Sequence, residues 1–229
     1  MPCCDPASRG QSDVNSTALT ACGPDLPCYW SEACSHLMQA DRVMKRLIPQ
    51  FGENCLQTRG DAFGTLARSV VGQQISVKAA QAVWDRFAHL AGQVTPSRVL
   101  QLTTLDMRSV GLSARKVEYL LDLARHFNDG VVHTDHWRSM DDDAIISELV
   151  AIRGIGRWTA EMFLIFYLMR PNVLPLDDIG LLRGISQSYF SGETVSRSEA
   201  REVAQAWTPY STVATWYLWR SLDPVPVAY

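Results

Sequence analysis

Leu149-Val150-Ala151-Ile152-Arg153-Gly154-Ile155-Gly156-Arg157-Trp158-Thr159-Ala160 is the stretch that decides the fold. Two glycines flank one apolar residue. A helical pattern opening at Asp141-Asp142-Asp143 precedes them, and the most apolar helical pattern of the chain, 158–169, follows. Glycine has no Cβ, so its backbone can take a positive φ and come close to a bulky anion. A helix beginning near Arg157 turns its unpaired first-turn N–H groups toward the same place. Such a backbone-lined cup suits a nucleic-acid phosphate. The competing reading is a tight helix–helix turn that uses glycine only for packing.

Outward from this hairpin the periodicity is helical almost everywhere. Ser31 offers an N-cap for a pattern carrying Cys34, Leu37, Met38, Val43, Leu47 and Ile48 on one stripe. Phe63, Leu66, Ala67, Val70 and Val71 recur at three and four, and Gly72-Gln73-Gln74 interrupts them. Ser76, Thr95 with Pro96, and Ser113 each precede a further helical run. Pro171 and Pro175 end the apolar helix. Later helices run from Ala200 to Trp207 and from Ser211 to Leu222, separated by Pro209. No convincing alternating strand occurs. The chain reads as all-α, with about ten helices.

Composition narrows the partners. The net charge of −3 does not announce a nucleic-acid binder, but residues 59–125 carry nine basic and five acidic side chains. That local excess is compatible with a phosphate-facing surface. All six cysteines, Cys3, Cys4, Cys22, Cys28, Cys34 and Cys55, lie early and form no C-x-x-C pair, which argues against zinc. The longest apolar run, Met162 to Met169, is far too short to span a membrane. With no secretory signal in view, the expected location is the cytoplasm, on the nucleoid if the source is bacterial. Residues 1–28 are rich in Ser, Pro, Gly and Asp and are expected to form a disordered leader.

The carboxylates that follow the hairpin are Asp177 and Asp178, within Leu174-Pro175-Leu176-Asp177-Asp178-Ile179-Gly180. Taken alone, either acid reads as a helix cap. Here the sequence resembles the helix-hairpin-helix DNA glycosylases, and within them the alkylation-repair branch typified by DNA-3-methyladenine glycosylase II. The resemblance is carried by Ile152 to Ala160, by Leu176-Asp177-Asp178, by Val71-Gly72-Gln73-Gln74-Ile75-Ser76, and by Trp207-Thr208-Pro209-Tyr210 with Trp216-Tyr217-Leu218-Trp219. It covers about residues 29 to 225.

The resemblance implies two helical lobes with the active-site cleft between them. One lobe would comprise 29–60 with 179–229, and the other 61–178 with the hairpin. It makes Asp178 the catalytic carboxylate and places Trp158 and Trp219 on the base pocket. Gln73 and Gln74 fall on the loop that fills the gap left by an extruded base, although a polar helix break is the rival reading. Phosphate contacts are expected from Gly154, Gly156, Arg157, Thr159 and Ala160. A monovalent cation, Na or K, is implied on the backbone carbonyls of Leu149, Ile152 and Ile155, with no required cofactor.

Trp158 stands where bifunctional relatives carry a Schiff-base lysine, which implies a monofunctional enzyme. The C-terminal half lacks the cysteines for the iron–sulfur cluster of other branches. The expected activity is hydrolysis of the N-glycosidic bond of alkylated purines, 3-methyladenine and 7-methylguanine, in double-stranded DNA, by a monomer acting in base-excision repair. The alternatives are a glycosylase for deaminated or mismatched bases and a non-catalytic DNA-binding hairpin module. Two positions depart from the pattern: Ser211, where relatives often carry a basic residue, and Ile179, where a tyrosine often follows the acid.

Overall fold

The computed structural model describes residues 27–52, 54–58 and 60–222. Apart from Pro27 and Cys28, the expected leader lies outside the described residues. Among those described there are twelve α-helices and two 3-10 turns, and no strand. The helices are α1 (Trp30–Ala40), α2 (Arg42–Leu47), α3 (Ala62–Gly72), α4 (Val77–Ala91), α5 (Pro96–Gln101), α6 (Thr104–Ser109), α7 (Ala114–Asn128), α8 (Asp142–Val150), α9 (Arg157–Phe166), α10 (Ile179–Tyr189), α11 (Arg197–Ala204) and α12 (Ser211–Leu222). The 3-10 turns are Ile48–Phe51 and Gln205–Trp207. None of these helices is long and apolar enough to cross a membrane.

The single stripe expected from Ser31 to Ile48 is in fact two helices. Asp41 leaves the helical region at φ −135° and caps α2, its Oδ1 accepting from the N–H groups of Val43 and Met44. α1 starts after Tyr29 rather than Ser31, with no side-chain cap. Periodicity missed the break because Leu37, Met44 and Leu47 are buried on both sides of it. Asp41 is itself nearly buried. Its Oδ2 accepts from the Tyr189 hydroxyl and the Trp207 indole, tying α2 to α10 and to the second 3-10 turn.

The helices pack in two sets. α1, α2, α10, α11 and α12 gather on one side, and α3 to α9 on the other. In the second set α3 buries the stripe read from sequence, and α7 buries Val117, Leu120, Leu123 and Ala124 with its charges outward. An aromatic chain, Phe63–Phe127–Trp137–Phe163–Tyr167, runs edge-on and stacked through this core. In the first set α10 lies close against α12. A Cβ on Gly184 would come 2.9 Å from Leu218 Cβ, so glycine sets that approach.

α9 and α12 are buried on nearly every side, Thr159 to Ile165 and Ser211 to Leu218. They frame the connection from Tyr167 to Asp178, which is long for a loop without secondary structure. Polar contacts fix it. The Thr212 hydroxyl donates to Arg170 O at 2.6 Å and accepts from Val173 N at 2.9 Å. Ser211 donates from both its N–H and its hydroxyl to Asn172 Oδ1. Arg170 binds the carbonyls of Trp137 and Met140 and pairs with Asp142 at 3.2 Å. With each such bond worth about 1 kcal/mol net, the segment that delivers Asp178 is held against both sets of helices.

Candidate active site

Asp178 is the N-cap of α10, as the cap reading of the sequence expects, and its side chain has further partners besides the helix start. Its Oδ1 accepts from Leu181 N at 2.6 Å and from Trp219 Nε1 at 2.8 Å. Its Oδ2 accepts from Trp158 Nε1 at 2.9 Å. Only 9% of the residue is exposed, but its neighbours are two indoles rather than aliphatic core. Trp158 is 37% exposed, and Trp219 is half-buried and stacked on Phe166 at 5.8 Å. Gly180 makes room for this arrangement. A Cβ there would stand 3.0 Å from Asp178 Oδ1 and 3.2 Å from Trp219 Cδ1.

Among the described residues every donor to Asp178 is neutral, and Arg197 and Arg157 are engaged with other carboxylates. Arg197 pairs with Asp177 at 2.6 Å, and Arg157 pairs with Glu161 at 3.0 Å and with Asp143 at 3.3 Å. Among the described residues Asp178 has no ion-pair partner, so its negative charge is oriented but not neutralised. A fixed anion in a water-poor, aromatic setting is suited to stabilise positive charge developing close by. Glu161, one turn along α9 from Trp158, is a second buried carboxyl. Burial pushes its pKa up, Arg157 opposes that, and Asp177 and Asp178 add to the rise.

The hairpin joins α8 to α9. Gly154 has φ +87°, and its missing side chain leaves room for the Tyr119 ring. Gly156 is different. Its φ is −91°, nothing lies within 4 Å of where its Cβ would be, and it is the N-cap of α9. Helices α2 to α8, α10 and α11 all start on a side-chain oxygen that accepts a first-turn N–H. α9 has no such cap. Its first-turn donors are therefore open to an outside anion.

The expected phosphate set needs one correction. Ala160 N–H donates to Gly156 O at 3.0 Å as the first bond of the helix, so the cup ends at Thr159. The Arg157 guanidinium is turned to the carboxylates of Glu161 and Asp143, which leaves its backbone N–H in the cup. Gln73 is also not free: its Nε2 donates to Gly154 O at 2.8 Å. Gln74 sits at φ +59°, at the tip of the α3–α4 turn, and Ile75 beside it is 41% exposed. Gln73, Gln74, Ile75, Trp158 and Thr159 border a pocket of about 250 Å³.

Sequence reasoning missed Gly180, Phe166, Arg197 and Glu161. Their signal is spatial, and only the i, i+4 spacing of Arg157 and Glu161 was readable. Ile179 is 81% exposed, and Ser211 anchors the connecting loop rather than standing at the surface. Trp137 and Trp207 are buried in the core. Cys28, Cys34 and Cys55 are free thiols, and the other three cysteines lie outside the described residues.

Fold and site thus define a helix-hairpin-helix protein with an uncapped helix start and an unneutralised carboxylate under two tryptophans. A sequence family described as "HhH-GPD superfamily base excision DNA repair protein" matches residues 67–209. DNA-3-methyladenine glycosylase 1 of Schizosaccharomyces pombe is 32% identical over 193 residues, 81% of this chain and 85% of that protein. The DNA-3-methyladenine glycosylase of Bacillus subtilis is 30% identical over 174 residues, and this chain spans 57% of its length. Among solved structures, the DNA-3-methyladenine glycosidase of Bacillus halodurans superposes with a TM-score of 0.79 at 34% identity, covering 85% of this chain and 91% of that one. The S. pombe enzyme in complex with abasic DNA superposes with a TM-score of 0.72 at 30% identity, covering 86% and 100%. The chain belongs to the HhH-GPD superfamily of base excision DNA repair proteins.

Proposed function

We propose that this chain is a monofunctional DNA-3-methyladenine glycosylase of type II. It would bind damaged double-stranded DNA as a monomer in the cytoplasm, or on the nucleoid of a bacterium, and release 3-methyladenine and 7-methylguanine. The observation that carries the reading is Asp178, a carboxylate held by three neutral N–H donors with no ion-pair partner among the described residues.

The chemistry fits that side chain. The alkylated nucleotide leaves the stack and its cationic base meets the indole faces of Trp158 and Trp219, which attract positive charge. As the bond from C1′ to the base nitrogen breaks, its electron pair neutralises the base and positive charge moves to the sugar. Asp178 stabilises that oxocarbenium-like state. Water then adds to C1′, and its proton passes to the carboxylate or to solvent. A cationic leaving group needs no separate acid. With Trp158 in the lysine position, water rather than an amine attacks, and the DNA strand stays intact.

Phosphate would be gripped by the N–H groups of Gly156 to Thr159. The carbonyls of Leu149, Ile152 and Ile155 are neutral oxygen donors, which would suit Na or K better than a transition metal; Leu149 O and Ile152 O also accept from Ile152 N and Ile155 N, each at 3.1 Å. Such an ion would add positive charge at the phosphate. No further cofactor enters the proposed reaction.

The test is release of free bases from methylated duplex DNA by the wild type and by Asp178→Asn. The substitution is expected to slow release by about 100- to 1,000-fold and to leave binding to an abasic duplex roughly unchanged. Release at the native rate would overturn the role of Asp178. Equal release of uracil or hypoxanthine by the wild type would move the substrate to deaminated bases. DNA binding with no release of any base would leave only a hairpin module.

A further inference from the structure

One hydrogen bond joins the two loops that flank the pocket, and three contacts tie them to helix α7 beneath. Lys116, Tyr119 and Asp122 recur every three residues on α7, so they share a face. Lys116 Nζ donates to Val71 O at 2.7 Å, holding the last turn of α3. The Tyr119 ring lies against Gly154. Asp122 Oδ2 accepts from Arg153 N at 2.9 Å, fixing the hairpin on its other side. Across the top, Gln73 Nε2 donates to Gly154 O at 2.8 Å. Gln73 is also the C-cap of α3, and the next residue, Gln74, takes φ +59°. The chain therefore changes direction just after the amide is anchored.

We infer that Gln73 is a positioning residue that locks the α3–α4 turn onto the hairpin, so that both meet DNA as one rigid surface. Gln74 and Ile75, not Gln73, are then the side chains presented to the duplex. This deepens the glycosylase reading and rests on it for the DNA step. The lock itself belongs to the free protein.

The physical reason is coupling. Gripping phosphate at the hairpin and filling the stack from the α3–α4 turn must happen on one nucleotide, at a fixed separation. Two independently mobile loops would lose binding energy in ordering themselves. A bond from Gln73 to the carbonyl of the hairpin's positive-φ glycine removes that freedom before DNA arrives. It occupies the amide, so Gln73 cannot offer the same N–H to a base without releasing the hairpin.

The experiment compares Gln73→Met, which keeps the length and loses the donor, with Gln73→Lys, which keeps a donor, and with Gln74→Ala. Hydrogen exchange of the free protein is followed over residues 152–158. Gln73→Met is expected to speed exchange there by about fivefold, the factor one net hydrogen bond supplies, while Gln73→Lys and Gln74→Ala leave it near native. Binding to an abasic duplex is expected to weaken in Gln73→Met with the salt slope unchanged, because no phosphate contact is lost. Gln74→Ala is expected to weaken binding without touching the hairpin. Native exchange in Gln73→Met, or fast exchange in Gln73→Lys, overturns the inference. The exchange experiment contains no DNA, so its failure is separate from any failure of base release by the wild type.

Discussion

Replacing Gly154 with alanine adds one methyl group, and the structure says what it meets. The Cβ would stand 2.2 Å from Tyr119 Cδ2 and 2.3 Å from Cγ, so the ring must move. Forcing an extra carbon into packed surroundings costs about 1–3 kcal/mol. The backbone at φ +87° adds a further cost of about 1–3 kcal/mol for a residue with a Cβ. The total, about 2–6 kcal/mol, is a large part of a typical stability of about 5–15 kcal/mol. For a chain of this size it corresponds to a fall in Tm of about 5–20 °C. Thermal unfolding followed by circular dichroism measures it. A Tyr119→Ala background separates the two terms: without the ring, Gly154→Ala should cost only the backbone part. The resulting coupling of about 1–3 kcal/mol is the signature of the contact. A Tm shift below about 2 °C would refute the backbone argument. An equal cost in both backgrounds would refute the packing argument.

Gly156→Ala should leave Tm within about 2 °C, since its φ is ordinary and the space around it is open; any effect should appear as weaker DNA binding, measured by fluorescence anisotropy. Trp158→Phe keeps an aromatic face but removes the donor to Asp178 Oδ2; single-turnover base release should fall about tenfold, and an unchanged rate would mean that the N–H does not hold the carboxylate. Glu148 is partly buried, which works to raise its pKa, but bonds from the His133 ring, the His133 backbone and the Trp137 indole outweigh burial and hold its carboxyl below the usual range. Its folded pKa being lowered, the stability it contributes is present above the ordinary glutamate range and is lost as pH falls through the folded value. Urea unfolding as a function of pH should show this acid loss in the wild type and a smaller one in Glu148→Gln.

Helices with a plain amphipathic stripe and a polar start were legible residue by residue. α3 buries the positions its periodicity nominates, and Ser76, Thr95, Ser113 and Asp141 cap as their chemistry suggests. The break at Asp41 was not legible, because a one-residue interruption hardly disturbs an apolar stripe while a buried Tyr189–Asp41–Trp207 network makes it worthwhile. Around the hairpin, local reading treated the two glycines alike. Tyr119, more than thirty residues upstream, is what distinguishes them.

By itself, the sequence determined the helical class, the place of the hairpin and the two acids that could serve beside it. These follow from period, capping chemistry and glycine, which act within one or two turns of chain. Only the tertiary structure decided which acid meets a cation and which meets neutral donors alone among the described residues. Arg197 reaches Asp177 from another helix, while two indoles from α9 and α12 converge on Asp178. That choice depends on which side chains meet across the packed helices, and pairing at that range leaves no mark on local spacing.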